Sequence, residues 1–140
     1  MRTGTTTSPS QKTTNPPTER QNDNMWIFTQ DGFISAVDNK EVPGKLTVRA
    51  RDKRSLALLA EFTNQEVTQV DGRDYPYRVH ATKEQFSGFL QAHVDDLNYP
   101  NFKDQVKSVR GRDFAAACGS VWAAMLDVTD DDALGRGLYA

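Results

Sequence analysis

Apolar and polar positions begin to alternate at Met25. "MWIFT" puts Trp26 and Phe28 on one side of an extended chain and Ile27 and Thr29 on the other, and "GFISAVD" resumes after Gln30 and Asp31. The Asp31-Gly32 pair predicts a tight hairpin, because glycine takes positive φ without steric cost. After a polar break with Pro43 and Gly44, "KLTVRAR" alternates again, with Leu46, Val48 and Ala50 facing one way and Thr47, Arg49 and Arg51 the other. "YPYRVHAT" does the same, setting Tyr77, Val79 and Ala81 against Arg78, His80 and Thr82. Pro76 belongs at the start or edge of that strand, since it has no N–H for a ladder.

Between the third and fourth strands the period changes. Asp52 is a candidate N-cap for "KRSLALLAEF", whose apolar positions Leu56, Leu59, Ala60 and Phe62 predict a short helix. The stretch from Thr63 to Asp74 reads as loop, with a little strand at Val67 to Val70. Thr82 and Gln85 form a capping-box pattern before Phe86, Phe89, Leu90, His93, Val94 and Leu97, an amphipathic stripe that ends before Pro100. Phe102, Val106 and Val109 add a turn or two of helix before Gly111. Asp113 is the expected cap of a last helix with the stripe Phe114, Cys118, Val121, Trp122 and Met125. The order predicts an α+β two-layer sandwich: a small, mostly antiparallel sheet of about four strands, with about three helices on one face. A right-handed crossover from the third strand to the fourth fits this order.

The first 24 residues are rich in threonine and proline and have no large apolar residue after Met1, which predicts a disordered tail that is not a secretory signal. Met25 stands where a shorter translation product could begin. Residues 25–128 form the expected domain, and 129–140 an acidic, glycine-rich tail in which Leu134, Leu138 and Tyr139 could dock back. The net charge of −2 gives no overall attraction to nucleic acid, so such binding needs a local patch. One cysteine, Cys118, precludes an intrachain disulfide, and no apolar run reaches membrane-span length; the expected setting is cytoplasmic, without a membrane.

"MWIFTQDGFISAV", "LTVRAR", "YPYRV", "NYPNFK" and "VWAAML" together resemble a family of small uncharacterised bacterial proteins, notably actinobacterial, and their phages. That family carries an MWxFT-GFFS-V, DYPYR and DYPNFK pattern. The resemblance spans most of residues 25–126, with Ile34 where an aromatic is usual and Asn98 where an acid is usual. It implies no activity.

Two candidate surfaces follow. Tyr75, Tyr77, Arg78, Tyr99, Asn101, Phe102 and Lys103 surround the two Tyr-Pro steps. As a functional set they form an aromatic-basic rim for a protein partner; as a structural set they mark element boundaries and close the core edge, the more economical reading. Arg49, Arg51, Arg78 and His80 share the sheet face away from the helices and form a cationic platform for single-stranded nucleic acid. That face also reads as plain solvated surface, since the glycine-aromatic run of known RNA-binding sheets is absent. His80 and His93 show no metal spacing with Cys118, which reads as a buried thiol on an apolar stripe; His93, near Asp96, reads as a core-edge residue held by a hydrogen bond. No catalytic residue, metal or cofactor is expected. The leading expectation is a non-catalytic interaction protein, the alternative a nucleic-acid or nucleotide-binding module, and the third a small enzyme.

Overall fold

A computed structural model of the chain describes residues 24–130; the expectations for the terminal tails lie outside the described residues. Five strands form one antiparallel sheet: β1 (Met25–Thr29), β2 (Gly32–Asp38), β3 (Lys45–Ala50), β4 (Thr68–Gln69) and β5 (Tyr77–Thr82), in the order β1-β2-β3-β5-β4. Among the described residues four α-helices accompany them: α1 (Ala57–Thr63), α2 (Lys83–Asp95), α3 (Phe102–Arg110) and α4 (Arg112–Met125). The class is the α+β one expected, with an additional edge strand in β4.

β1 and β2 form the hairpin, pairing Thr29 with Gly32, Phe28 with Phe33 and Ile27 with Ile34. Alternation then divides the sheet into two faces. On the inner face Ile34, Ala36, Val48, Ala50 and Val79 are buried against Leu56, Leu59, Phe86 and Phe89 from the helical side, with Tyr77 packed on the cluster. The predicted crossover does not occur, because β3 and β5 pair antiparallel, with Val48 opposite Val79 and Ala50 opposite Tyr77. The intervening segment returns the chain to the end of the sheet it left, so a parallel strand is geometrically unavailable.

α1 is preceded by a 3₁₀ turn, Lys53–Leu56, and Asp52 makes no side-chain cap there. Its carboxylate is engaged instead by Ser55 and Arg110. α2 opens on the predicted capping box: the Gln85 amide donates to Thr82 Oγ1 (3.0 Å) and the Thr82 amide to Gln85 Oε1 (2.9 Å). The stripe is buried at Phe86 and Phe89 but not further on: Val94 and Leu97 are exposed and line an open cleft beside Met25 and Ile27 of β1. α3 is capped by Asn101, whose side chain accepts from the Asp104 amide (3.0 Å). Gly111, at φ +97°, joins α3 to α4 and occupies the N-cap position expected of Asp113. Asp113 lies within the first turn, where a negative charge suits the helix dipole.

α1 and α2 supply the inner layer, but α4 does not join it. α4 lines a cleft with Trp26, Phe28 and Phe33, which are on the opposite face of the sheet. The cause is a polar anchor at the β1–β2 turn. The Arg110 guanidinium donates to the Asp31 carbonyl (2.6 Å) and to Ser55 Oγ (3.3 Å) and pairs with Asp52. Ser55 Oγ in turn accepts from the Phe33 amide (3.2 Å).

Gly32 lets this anchor close. A Cβ there would lie 2.1 Å from Ser55 Oγ and 2.8 Å from Arg110 Nη1, whereas a Cβ on Gly119 in α4 meets open space. Gly32→Ala is expected to cost about 2 kcal/mol through overpacking, and Gly119→Ala to gain up to about 1 kcal/mol through helix propensity. Denaturant unfolding monitored by circular dichroism checks the pair; equal effects at the two glycines would refute the role given to the anchor.

Candidate functional site

The outer sheet face carries a chain of aromatic contacts. Phe28 and Phe33, paired across the hairpin, stack with ring centroids 4.5 Å apart, and Trp26 meets Phe33 edge-on at 5.7 Å. Phe33 leads to Tyr75 at 6.2 Å. The Tyr75 ring is itself met by two guanidinium groups, Arg49 at 4.6 Å and Arg51 at 4.9 Å, in cation–π geometry. Arg49 also donates to Oγ of its cross-strand partner Ser35 (2.8 Å), which fixes its head beside the Tyr75 ring. Arg51 is more open and has only Asp74 at 4.0 Å, an exposed pair of little energetic weight.

α4 rises beside these rings and encloses a cavity of about 540 Å³. Trp26, Phe28, Phe33 and Tyr75 form one wall, Phe114, Cys118 and Val121 the other, and Arg51, Asp52 and Ser55 one end. That size and lining suit one apolar group with a few polar contacts at its margin. The end wall is the anchor described above, where Arg110 also stacks on Phe114 at 4.1 Å. Burial pushes the Asp52 carboxyl up, but hydrogen bonds from Ser55 and Arg110 and the Arg110 charge outweigh it, so the group stays below its ordinary value of 3.8. Burial pushes the Cys118 thiol up and so opposes the thiolate needed for nucleophilic chemistry, an effect the Arg110 charge offsets only in part.

The predicted aromatic-basic rim does not assemble as one surface. Tyr75 lies on the outer face, Tyr77 packs on the core and Arg78 donates to the Tyr75 carbonyl (3.3 Å). Tyr99 lines a separate cavity of about 360 Å³ with Ile27, Leu90, His93 and Leu97. Asn101 is a helix cap, while Phe102 and Lys103 face Trp122, with the Lys103 ammonium 6.0 Å from its ring. The Tyr75-Pro76 step leads into β5 and the Tyr99-Pro100 step follows α2, and nothing in the pairing of the sheet draws the two together.

The predicted cationic set is better placed. Arg49 pairs with Arg78 and Thr47 with His80, so these four side chains share the outer face, where Thr47 is buried and the other three are half-buried. Burial lowers the pKa of Arg78, as do the like charges of Arg49 and Arg73. His80 Nδ1 is within reach of Thr47 Oγ1 (3.3 Å) and the Asn39 amide (3.4 Å). His93 faces Asp31 rather than Asp96, its Nε2 lying 3.8 Å from the carboxylate and without a hydrogen-bond partner. Among the described residues no group of three or more His, Cys, Asp or Glu could hold a metal ion, and no helix is long and apolar enough to cross a membrane.

Of the cleft lining, sequence reasoning singled out only Tyr75 and Arg51 as site residues; Trp26, Phe28, Phe33, Phe114, Cys118 and Val121 were missed as cleft walls. The hairpin signal was enough to place Phe33 across from Phe28, but nothing in the pattern said that α4 would stand beside them. Compared with protein-family models, curated proteins and solved structures, the chain matches none.

The depressed Asp52 pKa has a sign that can be measured. Because folding favours the ionised carboxylate, its contribution is full above the unfolded value near 3.8 and is lost as pH falls through the lower folded value. Asp52→Asn is expected to lower the melting temperature near neutral pH and to lose less further stability than the parent between about pH 5 and pH 2. Parallel acid-limb melting curves for the two proteins would contradict the Asp52–Arg110 linkage.

Proposed function

We propose that this protein is a non-catalytic, cytoplasmic interaction module that seats an apolar segment of a protein partner in the cleft between the outer sheet face and α4. The observation that carries this reading is the cavity of about 540 Å³ walled by Trp26, Phe33, Tyr75 and Val121, with Arg51 and Asp52 at one end. Aromatic rings already fixed by mutual stacking lose little freedom on binding, which favours their use as anchors. The mixed charge at the end wall suits a peptide better than a polyanion. The resemblance to bacterial and phage proteins supports an association with phage or another mobile element.

Peptide-display selection against the full chain tests this reading. Sequences with aromatic or branched apolar anchors are expected, with affinity reduced about 30-fold by Trp26→Ala or Val121→Asp, the loss typical of one anchor. Selected peptides whose affinity survives both substitutions would sink it.

A second reading, single-stranded nucleic-acid binding, is favoured by one feature: Arg49, Arg78 and His80 share an open face with exposed Trp26. It expects oligothymidine affinity at about 20 mM salt that falls steeply towards about 200 mM and is lost in Arg49→Ala plus Arg51→Ala. Fluorescence polarisation that detects no binding at the lower salt removes it.

A further inference from the structure

α4 is apolar on nearly its whole circumference, "FAAACGSVWAAM", yet only Cys118 within it is buried. A helix with that composition is ordinarily covered on every side. One side faces the cleft and α3; the side away from the cleft presents Arg112, Ala116, Gly119 and Ala123, spaced by three and four residues, with Asp127 four further on in the closing turn. All are exposed except half-buried Gly119, and a Cβ on Gly119 meets nothing within 4 Å. Leu126 borders the same face, and Trp122, 62% exposed, lies beside it.

The charges on this face are arranged so that it complements itself. Arg112 stands at the N-terminal end and Asp127 about 22 Å away along the axis, at 1.5 Å per residue. Neither takes part in an ion pair among the described residues. If two copies of α4 are laid antiparallel about a two-fold axis near Gly119 and Ser120, each Arg112 meets the other copy's Asp127, and Ala116 meets Ala123. The absence of side-chain bulk at Gly119 lets the two backbones approach where the helices cross. A parallel arrangement would instead set Arg112 against Arg112 and Asp127 against Asp127.

We propose that a second copy of this chain covers α4, forming a two-fold dimer through an antiparallel α4–α4 contact with reciprocal Arg112–Asp127 pairs. The cleft, on the opposite side of α4, stays open in such a dimer, so two clefts are presented at once. Ser120 does not oppose the contact, because its hydroxyl is satisfied by the Ala116 carbonyl (3.3 Å).

Sedimentation of the full chain over a range of micromolar concentrations tests the proposal. A concentration-dependent dimer is expected. Arg112→Asp and Asp127→Arg, each alone, should weaken it about tenfold or more by opposing like charges. An equimolar mixture of the two variants should regain the dimer, because each then supplies the charge the other lacks. Gly119→Leu, whose Cβ would meet nothing within 4 Å in the monomer, should abolish the dimer while leaving the circular dichroism spectrum intact. A monomer at every concentration, or a dimer that ignores all three substitutions, would overturn the proposal; a dimer whose single variants are weak and whose mixture is no stronger would overturn the antiparallel pairing.

Discussion

The Arg110 guanidinium joins the end of α3 to the β1–β2 turn and to the segment that follows β3. It reaches the carbonyl of the β1–β2 turn, the hydroxyl of the 3₁₀ turn after β3 and the carboxylate of Asp52, while its flat face covers Phe114. A lysine could match the charge but not this fork of directed donors. The α3–α4 hairpin depends on it, supported by Arg54 donating to the Val109 carbonyl (2.7 Å) and by a Gln105–Gln30 contact (2.6 Å). These polar links are directional, so they fix where α4 stands as well as that it stays attached. Without that placement the outer rings would lie on open sheet and there would be no cleft.

The outer face follows a related logic. Arginines that read in isolation as a free cationic platform are partly occupied with one another's surroundings: Arg49 is held by Ser35 and Tyr75, and Arg78 by the Tyr75 carbonyl. Tyr75, 6% exposed, is therefore a common support for the Arg49 and Arg51 guanidinium groups as well as the end of the aromatic row. Guanidinium groups stacked on a ring retain charge while losing freedom, which leaves a surface firm enough to support the neighbouring rings.

Local rules made much of the fold legible. The alternation of Leu46, Val48 and Ala50 became the inner face of β3, the Thr82–Gln85 pattern became a capping box, and the Asp31-Gly32 step became the hairpin. Each depends on neighbours a few residues apart. The cleft was not legible because it depends on a side chain reaching across 79 residues, from Arg110 to Asp31. Read along its own helix, Arg110 is an ordinary basic residue in a last turn. The grouping of the two Tyr-Pro steps failed for the converse reason: similar local chemistry does not imply proximity, and one step opens a strand while the other follows a helix. Asp52 shows competition between levels, its capping propensity yielding to a stronger charged partner.

Gly111 is a single residue serving two helices, with φ +97° where most side chains would be strained. α4, 14 residues long, extends about 21 Å from it. A change of about 5° in direction at that residue would displace the far end by about 2 Å. The width of the cleft opposite Trp26 therefore rests on the backbone torsion of one small residue as well as on the Arg110 contacts.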